Sequence, residues 1–329
     1  MPRVVQFEKN GGPEVLQLVD TAVTEPKANE VRIKVKALGL NRAEAMFRSG
    51  QYLEKANLPA KLGYEAAGTV DAVGAGVSHV KVGDAVSVVP GFSMNQYGLY
   101  GEVVVAPAPL VVKHASNLSF EEAAATWMAY VTAFDGLIET AKLQAGEFVV
   151  IPAASSSVGI AAIQVANKLK AIPIALTRKS DKKDALLKAG AKYVVATEEQ
   201  DLVAEINKIT GGKGANVVYD PVGGATFAKL VEASAQGARL VLYGALATTP
   251  TEIPLLPLIS KLPTITSSVI MTTSCDPKKL KVAIDFVNEG LSEGSLKPVI
   301  AKTFPLDQIV EAHKYLESNQ QFGKIVVTV

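Results

Sequence analysis

Apolar and polar residues alternate in short runs along the first third of the chain. Residues 31–36 read VRIKVK, which places three apolar side chains on one face and three cations on the other. This alternation is typical of an antiparallel strand with one face in solvent. Similar runs at residues 68–74 and 84–89 are separated by glycine-containing turns. Several short strands joined by regular turns indicate a β-rich barrel or sandwich.

The hydrophobic period changes between about residues 123 and 267. Continuous apolar runs alternate there with stretches of helical periodicity, and the runs lie at residues 148–151, 172–177, 193–196, 217–219 and 240–243. Such alternation indicates a parallel sheet covered by helices on both faces. We therefore predict an α/β protein with a Rossmann-like, doubly wound sheet, whose ligands bind beyond the carboxyl ends of the strands.

The last section of the chain mixes the two patterns. It reads as helices at residues 278–288 and 306–316 and a closing strand at 324–329. We expect this section to pack on the first one. The predicted organisation is thus one domain from residues 1–122 and 268–329, a second from residues 123–267, and a cleft between them.

The composition narrows the class of protein further. The chain has 329 residues, enough for about two domains, and 48% of them are hydrophobic, which allows a sizeable core. A net charge of +1 gives no electrostatic footprint for nucleic acid. The single cysteine, Cys275, excludes an internal disulfide and every zinc site with two or more thiolates. Because His79, His114 and His313 are far apart in the sequence, we predict no metal site.

An uncharged stretch at residues 148–166 raises the question of a membrane segment. Pro152, Gly159 and the serines at 155–157 interrupt it, so a strand, a loop and a helix explain it better than a transmembrane helix. The first residues do not have the pattern of a secretory signal peptide. We expect a cytoplasmic protein that binds neither membrane nor nucleic acid.

The loop after the first predicted parallel strand occupies the position of a dinucleotide-binding loop. It joins a buried strand to a helix, where backbone N–H groups and the helix dipole bind a pyrophosphate. The three glycine positions of the G-x-G-x-x-G pattern are Ala154, Ser156 and Gly159 here. Small residues in a tight turn would give the same pattern, but the strand–helix context favours a cofactor. The predicted pyrophosphate-binding residues are Ala154, Ser155, Ser156, Ser157, Val158 and Gly159.

The end of the second parallel strand indicates which dinucleotide is bound. NAD-selective folds place an acidic residue there, about 20 residues after the loop, to bind the ribose 2′-hydroxyl. This chain has Arg178, Lys179 and Lys182 instead. Cationic side chains at this point would pair with a 2′-phosphate, so we predict NADPH rather than NADH. A solvated, basic helix start is the alternative interpretation.

A series of short segments runs in a fixed order along the whole chain, at residues 41–44, 48–52, 58–59, 63–68, 82–86, 132–134, 153–159, 219–224 and 322–326. Together they resemble the zinc-free medium-chain dehydrogenases/reductases, and most of all their NADPH-dependent quinone oxidoreductases. The resemblance implies a GroES-like, β-rich catalytic domain beside the Rossmann-like cofactor domain. Asn41 and Tyr64 stand where zinc-dependent relatives carry a cysteine and a histidine, which implies a metal-independent reaction. Ser156 and Ser157 depart from the family, because the quinone reductases usually carry glycines there.

The resemblance also implies which side chains act on the substrate and the cofactor. The Asn41 amide and the Tyr52 and Tyr64 hydroxyls would stabilise the oxyanion that forms on hydride transfer, in place of a metal. Thr132 matches a position near the nicotinamide, and Lys324 matches one near the cofactor phosphates. The remaining implied cofactor contacts are Val222, Tyr243 and Gly244.

We therefore expect NADPH-dependent hydride transfer to quinones or related conjugated carbonyls, without a metal. A quinone suits such a site because its reduced anion is resonance-stabilised and needs no strong general acid. An enone or enoyl-thioester reductase of the same fold is the alternative among enzymes, and an NADPH-binding sensor or structural protein is the alternative outside them. Relatives of this kind are often dimers and an exposed edge of the parallel sheet would pair two copies, so we expect a homodimer.

Overall fold

The protein, described by a computed structural model over all 329 residues, is built from short strands and helices. Its sixteen strands are β1 (Arg3–Phe7), β2 (Gln17–Asp20), β3 (Glu30–Gly39), β4 (Ala60–Lys61), β5 (Glu65–Val73), β6 (Ala85–Val88), β7 (Val103–Pro107), β8 (Val111–Lys113), β9 (Phe148–Ile151), β10 (Ile172–Thr177), β11 (Tyr193–Ala196), β12 (Ala215–Asp220), β13 (Ser234–Leu242), β14 (Thr264–Ser267), β15 (Ile300–Pro305) and β16 (Lys324–Thr328). Its eleven α-helices are α1 (Arg42–Ser49), α2 (Phe120–Ala123), α3 (Trp127–Phe134), α4 (Ser157–Lys168), α5 (Lys183–Lys188), α6 (Leu202–Ile209), α7 (Thr226–Glu232), α8 (Leu255–Lys261), α9 (Met271–Ser274), α10 (Pro277–Glu293) and α11 (Ile309–Glu317). A π-helix at Asp135–Thr140 continues α3, and short 3-10 helices lie at Pro13–Val15, Ala108–Leu110, Ser180–Lys182 and Leu306–Gln308.

The chain folds into two compact units. Unit 1 comprises Met1–Met128, Thr273–Ile284 and Pro298–Val329, and unit 2 comprises Ala129–Thr272 and Asp285–Lys297. The boundaries predicted from the sequence, after residues 122 and 267, each lie a few residues before the observed boundaries, which follow Met128 and Thr272. The sequence also assigned residues 285–297 to the first domain, whereas the structure groups them with unit 2.

Side-chain contacts explain two of these differences. The Trp127 indole donates a hydrogen bond to Ser87 Oγ at 2.7 Å, which holds the start of α3 in unit 1. The second half of α10 belongs to unit 2, where Lys168 of α4 pairs with Glu289 at 3.2 Å. Both contacts join residues far apart in the chain, so the hydrophobic pattern does not reveal them.

A seven-stranded sheet is the main element of unit 1. Its order is β15-β16-β3-β5-β6-β8, and β7 also pairs with β3. The long strand β3 is antiparallel to β5, β7 and β16. Val31, Ile33 and Val35 of β3 are buried, while Lys34 between them is exposed, as the alternating pattern predicts. A smaller sheet of order β2-β1-β4 completes the β-rich architecture, which confirms the fold expected for this part of the chain.

Unit 2 is built on a six-stranded, wholly parallel sheet of order β11-β10-β9-β12-β13-β14. The chain enters at β9, builds outward through β10 and β11, and returns to place β12 on the other side of β9. The core contains buried strand residues such as Val150, Ile174, Val218 and Leu240. The predicted doubly wound, Rossmann-like fold is confirmed. The strand order reverses between β9 and β12, where such sheets bind their ligands.

The apolar runs locate most of this sheet, but not all of it. The strands β9, β10 and β11 coincide with the predicted runs. The strands β12 and β13 begin earlier, at Ala215 and Ser234, and β14 was not predicted. Three of the four residues of β14 are exposed, so it lacks the continuous apolar signal of a buried strand.

The uncharged stretch at residues 148–166 forms β9, a turn and most of α4. Its apolar side chains therefore serve the core of unit 2. No helix of the protein combines the length and the apolar character that a membrane span requires.

Candidate functional site

The turn between β9 and α4 lies at the carboxyl end of a central strand of unit 2. Ser156 is the N-cap of α4, and its hydroxyl accepts a hydrogen bond from the Gly159 N–H at 3.0 Å. A Cβ on Gly159 would lie 2.6 Å from the Ala153 carbonyl oxygen and 2.7 Å from Ala154 Cα, so only glycine fits. A serine thus stands at the second glycine position because it caps the helix, and the glycine that permits close packing is retained.

The first turn of α4 retains the groups that an anion requires. Ser157 and Val158 are the first two residues of the helix, and N–H groups at these positions have no acceptor within a helix. Together with the helix dipole they form an anion-binding end. The arrangement therefore supports the predicted pyrophosphate site.

The basic residues after β10 reach this turn. Lys182 Nζ lies 3.4 Å from Ser155 Oγ and is half-buried, whereas Arg178 and Lys179 are exposed. Burial lowers the pKa of Lys182, and the Arg178 charge adds to this effect while Asp181 opposes it. A bound phosphate would stabilise the charged form of Lys182. The cluster is thus suited to a phosphate next to Ser155.

Other predicted cofactor contacts lie at the carboxyl ends of β12 and β13. The Asp220 carboxylate accepts a hydrogen bond from the Val222 N–H at 2.7 Å and turns the chain after β12. The Tyr243 N–H donates to the Asp220 carbonyl oxygen at 3.0 Å. A Cβ on Gly244 would lie 2.7 Å from the Pro221 carbonyl oxygen, so this position leaves no room for a side chain.

Tyr219 brings Thr132 into the same region of unit 2. Its hydroxyl donates to the Thr132 carbonyl oxygen at 2.8 Å. Its ring stacks on Tyr243, with centroids 4.0 Å apart and planes inclined by 18°. Thr132 and Tyr243, which were predicted separately, are therefore joined through one buried ring.

A buried polar cluster surrounds Asn41 at the start of α1 in unit 1. The amide nitrogen of Asn41 donates to the Gly39 carbonyl oxygen at 3.2 Å and to Glu44 Oε1 at 3.0 Å, and its Oδ1 accepts from Lys324 Nζ at 2.6 Å. The reverse orientation of the amide would point its N–H groups at the Lys324 ammonium and its oxygen at the Glu44 carboxylate. Both amide hydrogens are therefore used within unit 1. The role of Asn41 as a donor to the substrate oxyanion stays a prediction, and these hydrogen bonds favour a positioning role for its side chain.

Lys324 is buried at the start of β16. Its side chain is 1% exposed, and Nζ lies 2.6 Å from Glu65 Oε2 as well as from Asn41 Oδ1. A Cβ on Gly39 would lie 2.7 Å from Lys324 Cε and 2.9 Å from Glu65 Oε2, so a glycine is needed where β3 passes this ion pair. The contact of Lys324 with a cofactor phosphate also stays a prediction, and within unit 1 its ammonium is bound by Glu65 and Asn41. Its ammonium compensates a buried carboxylate.

Glu44 lies at the centre of this cluster and is a residue that the sequence reasoning missed. Its carboxylate accepts from the Asn41 backbone N–H and amide, from the Tyr64 N–H at 3.0 Å and from the Tyr100 hydroxyl at 3.0 Å. Complete burial raises the pKa of Glu44 to about 7, although the hydrogen bonds from Asn41 and Tyr64 and the charge of Lys324 act in the opposite direction. The pattern Asn-x-x-Glu at a helix start is that of a capping box, and this signal could have identified Glu44.

Two predicted tyrosine hydroxyls, of Tyr52 and Tyr64, lie 3.4 Å apart. They belong to an aromatic row, which we define as Phe47, Tyr52, Tyr64, Phe92 and Tyr97. Successive ring centroids in this row are 6.4, 6.3, 5.6 and 5.9 Å apart. Tyr64 is buried and Tyr52 is half-buried. Unit 1 therefore combines a pair of hydroxyls with adjacent aromatic surfaces.

The two hydroxyls are suited to hydrogen bonding rather than to proton abstraction. Burial raises the pKa of both Tyr52 and Tyr64, and the Glu44 charge adds to the effect. Both phenols therefore stay protonated at neutral pH. A neutral hydroxyl can donate to an oxygen that gains negative charge during a reaction.

The positions of the family's zinc ligands do not form a metal site in this chain. Asn41 Oδ1 is bound by Lys324 Nζ, and Tyr64 contributes a neutral phenol. No group of three or more His, Cys, Asp or Glu side chains is arranged to hold a metal ion. Cys275 is exposed, with Sγ 3.5 Å from the Gly91 carbonyl oxygen.

Two family models match the chain. The model described as "Zinc-binding dehydrogenase" matches residues 157–289, and the one described as "Alcohol dehydrogenase GroES-like domain" matches residues 27–116. The second match lies within unit 1, and most of the first lies within unit 2. Each of the two units therefore matches a different family model.

Individual relatives match over nearly the full length. The human protein named quinone oxidoreductase is 34% identical over 331 residues, which cover 99% of this chain and 97% of that protein. The crystal structure of Escherichia coli quinone oxidoreductase complexed with NADPH superposes with a TM-score of 0.91 at 32% identity, covering 99% of this chain and 100% of that one. An NAD-dependent alcohol dehydrogenase structure superposes with a TM-score of 0.90 at 32% identity, covering 99% of each chain.

Proposed function

This chain belongs to the quinone oxidoreductase-like proteins of the medium-chain dehydrogenase/reductase superfamily, and we propose that it transfers hydride from NADPH to quinones or related conjugated carbonyls. The observation that carries the proposal is the turn between β9 and α4. There Gly159 permits close packing, the first turn of α4 presents N–H groups, and Lys182 adds a positive charge beside Ser155. We further propose that the protein acts in the cytoplasm.

The preference for NADPH rests on the basic residues rather than on similarity. Structures of comparable similarity include a quinone oxidoreductase complexed with NADPH and an NAD-dependent alcohol dehydrogenase. The cluster of Arg178, Lys179 and Lys182 follows β10, where an NAD-selective fold has an acidic residue. Guanidinium and ammonium groups at this point favour a 2′-phosphate.

The acceptor would be held by unit 1. A bound, reduced nicotinamide supplies the hydride. The Tyr64 hydroxyl donates to the Tyr52 hydroxyl, and the Tyr52 hydroxyl then donates to the oxygen that becomes negatively charged. The aromatic row offers apolar faces for packing against a planar ring. The Asn41 side chain, fixed by Glu44 and Lys324, holds the start of α1 in place and does not contact the acceptor.

The test is NADPH oxidation by the purified protein, with 1,4-benzoquinone and but-3-en-2-one compared as acceptors. We expect faster turnover with the quinone. We also expect Tyr52→Phe and Tyr64→Phe to lower kcat by about tenfold each, because the first removes the donor to the oxyanion and the second removes the hydroxyl that donates to Tyr52. Tyr315→Phe, in a helix of the same unit, is the matched control and retains the wild-type rate.

The other outcomes favour the alternatives. Selective turnover of the enone would identify an alkene reductase of the same fold. NADPH binding without oxidation by either acceptor would identify a sensor or structural protein. Wild-type rates in both tyrosine variants would remove the hydroxyl pair from the mechanism.

We also propose that a second copy of the chain covers the edge of the sheet in unit 2. The strand β14 pairs only with β13, so its outer edge presents unpaired backbone groups. The preceding helix, α8, is apolar and exposed: Leu255, Leu256 and Ile259 are 69%, 80% and 69% exposed. An edge strand can pair with its own copy about a two-fold axis, and the apolar side chains would then be buried.

A further inference from the structure

The end of α3 departs from α-helical geometry at the π-helix Asp135–Thr140. The Ala141 N–H donates to the Gly136 carbonyl oxygen at 2.9 Å, five residues earlier, which is the spacing of a π-helix. Single π-turns are rare and occur frequently at functional sites. The residues that pack against this turn therefore indicate what it is for.

Tyr219 of β12 is the residue against which the π-helix packs. A Cβ on Gly136 would lie 2.1 Å from Tyr219 Cε2 and 2.8 Å from Cζ, so only a glycine passes this ring. The ring cannot withdraw, because it is fully buried and stacked on Tyr243 at 4.0 Å. Its hydroxyl is fixed as well, by the hydrogen bond to the Thr132 carbonyl oxygen at 2.8 Å.

A second contact fixes the first residue of the π-helix. The Ser268 hydroxyl donates to Asp135 Oδ2 at 2.5 Å, and Asp135 is 1% exposed. The Ser268 N–H in turn donates to the Leu242 carbonyl oxygen at 2.9 Å, at the end of β13. The turn that follows Thr132 is thus attached to the sheet at two places.

We propose that Tyr219 is a positioning residue for the nicotinamide end of the cofactor. It fixes Thr132 through a backbone carbonyl and Tyr243 through a stacked ring, so one buried side chain sets two surfaces of the cofactor site. Tyr219 itself touches neither cofactor nor acceptor. The inference rests on the proposed function, because it takes Thr132 and Tyr243 as contacts of a bound nicotinamide.

The test compares two ligands that differ in the nicotinamide end. NADPH carries it, whereas adenosine 2′,5′-bisphosphate lacks it and keeps the adenosine and the 2′-phosphate. Tyr219→Phe removes the hydrogen bond to Thr132 and keeps the ring. We expect about fivefold weaker binding of NADPH, the effect of one buried hydrogen bond, and unchanged binding of the bisphosphate, both measured by titration calorimetry.

Tyr130→Phe is the matched control. Tyr130 lies on α3, the helix that carries Thr132, and its hydroxyl donates to Gln164 Oε1 at 2.8 Å. This variant therefore also loses one hydrogen bond of a buried tyrosine. We expect it to leave the ratio of the two dissociation constants unchanged. Equal weakening of both ligands in Tyr219→Phe would show general loosening of unit 2 and would overturn the proposal.

A double-mutant cycle with Thr132→Val tests the route of the effect. We expect Thr132→Val to weaken NADPH selectively, and the double variant to bind NADPH no more weakly than Thr132→Val alone. Additive losses, or an unchanged ratio in Thr132→Val, would overturn the proposal. Quinone reduction by the wild type is assayed separately, so failure of the proposed function and failure of this inference give different results.

Discussion

At the scale of single residues, Lys182 combines a charge with a half-buried position next to Ser155. We expect Lys182→Ala to weaken NADPH binding by about tenfold, because the variant loses the cation nearest the turn. NADH, which has no 2′-phosphate, should bind the variant and the wild type equally. Dissociation constants for both dinucleotides, measured by fluorescence titration, check the prediction.

Lys188→Ala is the control for this prediction, since Lys188 is an exposed lysine at the other end of α5. It should bind both dinucleotides as the wild type does. Equal losses of NADPH and NADH affinity in Lys182→Ala would contradict a 2′-phosphate contact. They would instead indicate a contact with the shared pyrophosphate.

Single residues also show how far sequence reasoning reaches. Residue types and spacing located the turn at Ala154 to Gly159, since the contacts there are local. The contact between Asn41 and Lys324, by contrast, joins residues 283 positions apart and was not predicted. Only the fold shows that the Lys324 ammonium donates a hydrogen bond to the Asn41 amide oxygen, because no local sequence pattern contains that information.

At the scale of elements, a buried arginine joins α1 to α11. Arg48 Nη1 lies 2.8 Å from His313 Nδ1, and Nη2 donates to Glu317 Oε1 at 2.7 Å. Burial, and then the Arg48 charge, lower the pKa of His313 to about 3. The imidazole is therefore neutral in the fold and accepts the hydrogen bond.

This contact predicts a pH-dependent stability. The unfolded imidazole takes up a proton below about pH 6.5, whereas the folded one does so only near pH 3, so its contribution to stability declines as the pH falls through this window. We expect this group to cost the wild type about 2 kcal/mol between pH 7 and pH 5. Glutamine does not titrate in this range, so the free energy of unfolding of His313→Gln should not include this decrease. The difference in unfolding free energy between the wild type and the variant should therefore become smaller by the same amount from pH 7 to pH 5.

The fluorescence of Trp127, the single tryptophan, reports on unit 1 during urea unfolding. The comparison is made between variant and wild type because the raised pKa of Glu44 acts in the opposite direction in both proteins. A difference that stays constant from pH 7 to pH 5 would refute the prediction.

Elements were predictable where burial is strong on both faces. The apolar runs gave β9, β10 and β11, whereas the exposed β14 gave no such run. The π-helix after α3 also escaped prediction. It packs against the Tyr219 ring at Gly136, a contact between distant parts of the chain that no local pattern reveals.

At the scale of the whole molecule, the exposed edge of unit 2 predicts the oligomeric state. We expect a mass twice the 34.6 kDa of one chain by light scattering coupled to size exclusion. Leu256→Asp together with Ile259→Asp should give the monomer mass, because the charges would have to be buried in the interface.

Val82→Asp is the control, since Val82 is an apolar residue of unit 1 that is 61% exposed. This variant should keep the dimer mass. A monomeric wild type, or a dimer that survives both α8 substitutions, would contradict pairing at this edge.

The architecture of the whole molecule was predictable from the change in hydrophobic period. A period of two in the first section and an alternation of apolar strands with helices in the middle section already distinguish the two folds. The boundaries between the two units could not be predicted as accurately from the sequence. They depend on contacts such as that of Trp127 with Ser87.

The position of β16 in the sheet of unit 1 has a consequence for synthesis of the protein. The strand lies between β15 and β3, and Val326 pairs with Gly39 near the opposite end of the chain. On the ribosome, all six strands of unit 2 emerge before β15 and β16 are made. The β-rich unit that is translated first is therefore completed last. Residues 37–39 of β3 lie beyond its pairing with β7, so they have no partner on that edge until β16 is translated.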